Sequence, residues 1–100
     1  MKVMVNKAAD VCIMQVEGRI DTNTAEEFEQ ALMENLEKED ALRIDMEAVA
    51  YISSAGLRAF LNGQKLANKG QKRMSLANVS QTIMEVFDMT GFADILTFEV

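Results

Sequence analysis

The residues of this chain best suited to chemistry are two adjacent serines, Ser53 and Ser54, in the segment YISSAGLRAFL from Tyr51 to Leu61. They follow a strand-like apolar run and open an amphipathic helix. Their hydroxyls are therefore expected in a tight, exposed turn at the positive end of a helix dipole. That placement suits reversible phosphorylation, with Ser54 as the expected acceptor; a plain helix N-cap is the competing role for either serine. Histidine is absent and cysteine occurs once, at Cys12. The commonest general base is missing, and with it every Ser-His or Cys-His nucleophile pair. No enzyme is expected. Zinc has almost no ligands to draw on and no internal disulfide can form, so no metal and no cofactor are expected. Cys12, within VCIMQV, reads as a small core hydrophobe.

Composition narrows the partners. One hundred residues, 49% of them hydrophobic, suit a single domain spanning residues 1–100. The net charge of −6 argues against non-specific nucleic-acid binding, which needs Lys and Arg to neutralise phosphates. It favours a protein partner with a basic face. No apolar run approaches the roughly 18 residues of a membrane span. The opening MKVMVNKAADV has too short an apolar stretch for a secretory signal. These features predict a soluble, cytoplasmic protein.

The hydroxyls must be held by strands and helices in alternation. The pattern predicts strands at Val3–Asn6 and Val11–Glu17, joined by a turn at Ala8, Ala9 and Asp10, the second strand covered on both faces. The loop GRIDTN (Gly18–Asn23) leads to a capping box of Thr24 and Glu27. A helix then runs to about Lys38 with Phe28, Ala31, Leu32 and Leu36 on one face. A third strand is expected at Leu42–Met46, then a loop, EAVAYISSAG. A second helix from about Ser54 to Asn68 buries Leu57, Phe60 and Leu61 and stops near Gly70. A fourth strand covers Met74–Ala77. Ser80 caps a third helix that turns Ile83, Val86 and Phe87 inward, leaves Met84 and Met89 outside and stops at Gly91. Ile95–Val100 supplies a last strand. Crossover helices make successive strands parallel, so the fold class is α/β, a small mixed sheet in β-β-α-β-α-β-α-β order. The loops after the second and third strands should meet at one edge, joining Asp21, Thr22, Asn23, Ser53 and Ser54 in a polar patch.

These segments resemble the STAS domain, the fold shared by bacterial anti-sigma-factor antagonists and the tails of sulfate transporters. The family signature, a hydrophobic pair then D-S-[ST]-G-L or S-S-A-G-L, stands here as Tyr51, Ile52, Ser53, Ser54, Ala55, Gly56 and Leu57. GRIDTNTA (Gly18–Ala25) is similar to the family's G-x-[LI]-D loop. VFDMTGF (Val86–Phe92) is similar to the segment ending the last helix. The likeness spans essentially the whole chain. Ser53 replaces an aspartate and Ala55 a serine or threonine found in many members, as in the S-S-A-G variant.

The resemblance implies an anti-sigma-factor antagonist in a phosphorylation-controlled partner switch. The unphosphorylated form binds an anti-sigma factor that is also a serine/threonine kinase, freeing a sigma factor; phosphorylation separates the pair, and a serine phosphatase restores binding. Motif position makes Ser54 the phospho-acceptor, with Ser53 the alternative. The partner surface is expected to include Asp21, Thr22, Asn23, Ser53, Ser54, Ala55, Gly56 and Arg58. One other reading keeps the fold without phosphorylation, as a scaffold or transport-complex subunit. Another makes Asp45, at the end of the third strand, the acceptor of a phosphotransfer receiver, although the acidic cluster and lysine of a receiver's Mg²⁺ site are missing where required.

Overall fold

Only Ala9 and Asp10 separate the first two strands, so they pair antiparallel, whereas helices separate the remaining strands and force them parallel. The computed structural model describes residues 1–99. Its elements are β1 (Lys2–Ala8), β2 (Val11–Ile20), α1 (Ala25–Lys38), β3 (Ala41–Ile52), α2 (Ser54–Lys69), β4 (Arg73–Ala77) and α3 (Gln81–Thr90), followed by a 3-10 turn at Phe92–Asp94. The sheet order is β1-β2-β3-β4. No helix among the described residues is long and apolar enough to cross a membrane.

One face of the sheet carries the core. Cys12, Met14, Val16 and Ile20 of β2 are buried with Leu42, Ile44, Met46, Val49 and Ile52 of β3 and Met74 and Leu76 of β4. The expectation that β2 is covered on both faces is corrected: Gln15 and Glu17 are exposed and Ile13 is only half-buried. All three helices contribute to the covered face. Phe28 of α1 meets Phe60 of α2 at 4.8 Å between ring centroids, and Phe60 meets Phe87 of α3 edge-on at 5.8 Å. Such tilted and edge-on pairs add about 0.5–1.5 kcal/mol each beyond the area they bury. Leu61, expected inside, is only half-buried, as is Val86. Met84 is half-buried against the core rather than outside it, while Met89 is 86% exposed.

β3 is more than twice the expected length, and beyond Met46 its inward residues lose the two-residue period. Register shifts against β2 fall between Gln15 and Glu17 and between Gly18 and Arg19, each inserting one extra β3 residue. After Ala41, buried positions run 42, 44, 46, 49 and 52, and the last part reads as loop to any search for alternation. The first half of GRIDTN and the first six residues of EAVAYISSAG are therefore strand, and the true loops are Asp21–Thr24 and the single residue Ser53. Asp45 accordingly lies within β3 rather than at its end.

At the other end of the chain the expected final strand contracts to one bridge, Leu76 with Phe98. The amides of Ile95 and Leu96 both bond the carbonyl of Phe92, so these residues are spent on a turn before a ladder can begin. Val100 lies outside the described residues. Ser80 caps α3 as expected, accepting from the Ile83 amide, and Gly91 ends that helix in the left-handed region at φ 82°. Gly70 ends α2 at φ −89°; the left-handed residue there is Gln71.

Candidate functional site

Ile20 and Ile52 are paired at the ends of parallel β2 and β3, so the two loops that follow leave the sheet side by side. The Ser53 amide donates to the Ile20 carbonyl at 2.8 Å and ties them together. Ser53 then caps α2: its Oγ accepts from the Gly56 amide at 3.3 Å. Ser54 is the first helical residue and is exposed. Among the described residues its hydroxyl has no hydrogen-bond partner, and the amides of Ser54 and Ala55 are not taken by any acceptor. The two serines thus divide the roles expected of them, one holding the turn and the other facing solvent.

Gly56 is buried, and a methyl group there would lie 2.8 Å from an Ile20 side-chain carbon and 2.9 Å from its carbonyl oxygen. No side chain fits between α2 and the end of β2 without displacing the loop that Ser53 holds. Gly56 therefore shapes the site from beneath.

The neighbouring loop is organised by Asp21, whose carboxylate accepts from the amides of Asn23 at 3.0 Å and Thr24 at 3.2 Å. The expected capping box at Thr24 and Glu27 is absent. The Thr24 hydroxyl instead accepts from the Asp21 amide at 2.9 Å and donates to the Arg19 carbonyl at 2.7 Å. A threonine that locks its own loop has no oxygen left for the α1 amides. Burial works to raise the Asp21 carboxyl, but the Asn23 amide, the Thr24 hydroxyl and amide, and Arg19 together hold it below its ordinary value. Thr22 and Asn23 project from the tip of this loop, exposed.

Two participants escaped the sequence pattern. Arg19 reaches Asp21 at 3.5 Å and lies 4.2 Å above the ring of Tyr51, which is 41% exposed. These residues are cross-strand partners, a relation visible only once the bulged register is known. The second participant is α1. With Thr22, Ala55 and Arg58, its residues Ala25, Glu26, Glu29 and Met33 line a shallow groove of about 540 Å³. Arg58 thus joins the site from the first turn and a half of α2, while the acidic side of α1 forms its far wall.

Asp45 lies away from this edge, mid-strand, accepting from Asn78 at 3.0 Å and from the Glu47 amide at 3.1 Å. Among the described residues, no group of three or more Cys, Asp or Glu side chains is arranged to hold a metal ion.

Comparison with known proteins agrees with this fold. The family model described as STAS domain matches residues 2–100. The anti-sigma-B factor antagonist of Listeria monocytogenes is 35% identical over 82 residues, 81% of this chain and 72% of that protein. An anti-sigma factor antagonist from Mycobacterium paratuberculosis has the same fold, with a TM-score of 0.87 at 23% identity over 97% of this chain and 83% of its own. The Bacillus cell fate determinant SpoIIAA, solved in its phosphorylated form, aligns with a TM-score of 0.73 at 15% identity, covering 99% of this chain and 92% of its own.

Proposed function

Because the chain belongs to the STAS domain family, we propose that it is a cytoplasmic anti-sigma-factor antagonist switched by phosphorylation of Ser54. Unmodified, it docks an anti-sigma factor through the edge formed by Asp21, Thr22, Asn23, Ser53, Ser54, Ala55 and Arg58, and the sigma factor is released. The same anti-sigma factor is a serine/threonine kinase. The Ser54 oxygen attacks the γ-phosphorus of ATP, ADP leaves, and the hydroxyl proton passes to a base of the kinase. A serine phosphatase hydrolyses the ester and restores docking.

The exposed, unpartnered hydroxyl of Ser54 at the first residue of α2 is the observation that carries this reading. Phosphorylation there adds about −1.5 to −2 charges and three acceptor oxygens. Beside the Ser54 and Ala55 amides and the positive helix end, that charge is tolerated by the domain. Against a docked protein it must lose water, at a cost of several kcal/mol unless paired. Tenfold weaker binding needs only about 1.4 kcal/mol, so one phosphate is enough to part the proteins. Ser53 is the poorer acceptor because its oxygen caps the helix. The phosphorylated form of SpoIIAA, a protein of the same fold, is in keeping with such a switch.

Incubation with the cognate kinase and ATP should place one phosphate on the Tyr51–Arg58 peptide, retained in Ser53→Ala and lost in Ser54→Ala. Ser54→Asp should bind the anti-sigma factor at least about tenfold more weakly. Labelling elsewhere, or unchanged affinity in Ser54→Asp, would refute the switch.

A further inference from the structure

We propose that Arg58 is the internal partner of the phosphate on Ser54, an ion pair that forms within α2 when the switch is thrown. The inference rests on Ser54 as the modified residue. Residues four apart on a helix are neighbours on one face, and helical side chains lean back toward the N-terminus. Arg58, which lines the groove beside Ala55, therefore stands one turn from Ser54, within reach of a phosphate there. Both residues are exposed, so nothing packs between them and solvent. Among the described residues no carboxylate lies within ion-pair distance of Arg58; the three ion pairs are Lys7–Glu39, Arg19–Asp21 and Arg43–Glu99.

The surroundings leave Arg58 available and make its charge useful. Of the acids on α1 that line the same groove, Glu29 accepts from Asn62 at 3.3 Å, and Glu26 stands exposed in the first turn. Arg19, the other nearby cation, is already engaged by Asp21 and the Tyr51 ring. A phosphate on Ser54 would face repulsion from Asp21 and Glu26, with Arg58 as the cation free to answer it. A planar guanidinium can donate two parallel N–H bonds to phosphate oxygens. Pairing holds the dianion against α2 and occupies the Arg58 guanidinium that would otherwise be open to a docked protein. One modification thus adds negative charge and neutralises a positive one.

The test is a ³¹P titration of the full chain carrying phosphoserine introduced at position 54 during translation, which needs no kinase. The second phosphate ionisation should fall lower in the native chain than in Arg58→Gln by roughly 0.15–0.4 pH unit, the scale of an i,i+4 ion pair. Arg58→Lys should recover part of that difference, as a point charge without the fork. The helix N-terminus is common to all three proteins, so the difference isolates the side chain. In the native chain the Arg58 Nε–H resonance should also move as the phosphate ionises. Coincident titrations in the three proteins, or an Arg58 resonance indifferent to phosphate ionisation, overturn the pair. Absence of kinase labelling at Ser54 would instead overturn the proposed switch and leave the titration result intact.

Discussion

Ser53 and Ser54 are chemically identical and adjacent, yet one hydrogen bond separates their roles. The Ser53 hydroxyl accepts from Gly56 and holds the helix entrance, while the Ser54 hydroxyl is left in solvent. Loss of the cap in Ser53→Ala should lower stability by about 1 kcal/mol, and Ser53→Gly by only a few tenths, as chemical denaturation would show. Ser54→Ala should be nearly neutral in the same measurement. Equal losses at both positions would mean that Ser54 also holds the turn. In the adjoining loop, Asp21→Asn keeps the shape of the side chain but loses the charge that binds Arg19 and strengthens the bonds from Asn23 and Thr24. Partner affinity should fall with little change in secondary structure, read by calorimetric titration alongside circular dichroism.

The elements meet at two glycines, both on α2. Gly56 lets the first turn of α2 approach the end of β2, and Gly63 lets the helix cross α1, where a methyl group would collide with Leu32. Alanine is the better helix former by about 1 kcal/mol, so each glycine is held in place by packing. Gly56→Ala should be net destabilising by about 1–3 kcal/mol, because a backbone carbonyl blocks the new methyl group and overpacking of this kind is costly. A lower denaturation midpoint at unchanged slope would show it; a stabilised protein would mean that the turn has room. Glycine spacing marks neither crossing, since only the docked helices reveal what each would strike. Local signals served better at the helix ends: Ser80 and Gly91 were legible because a cap depends on the residues beside it. Thr24 misled for the same reason, its oxygen being claimed by Asp21 and Arg19 after the loop closes.

Across the whole molecule, acid should act on a few carboxyls held below their ordinary values. At Glu99 the cause is foremost the bond from Arg43, then that from Ser75. At Asp45 burial pulls the other way, but Asn78, the Glu47 amide and Gln15 prevail; at Asp21 the loop bonds do. Depressed groups bind fewer protons folded than unfolded. Their contribution is complete above the unfolded carboxyl range of about 4 and disappears as pH falls through the lower folded values. The thermal midpoint should therefore drop below about pH 4, and Asp45→Asn should flatten that fall; an unchanged acid limb would show that Asp45 carries none of it.

Amino-acid order alone determined the alternation of strands and helices, the antiparallel start, the aromatic centres of the buried helix faces and the serine pair at a helix entrance. Each of these follows from short-range periodicity and capping, which neighbouring residues control. Tertiary structure decided which serine remains free, that Arg19 lies over Tyr51 and that Arg58 shares a groove with the acids of α1. Those relations depend on two bulges and on helix docking, where residues distant along the chain meet and the hydrophobic period is broken.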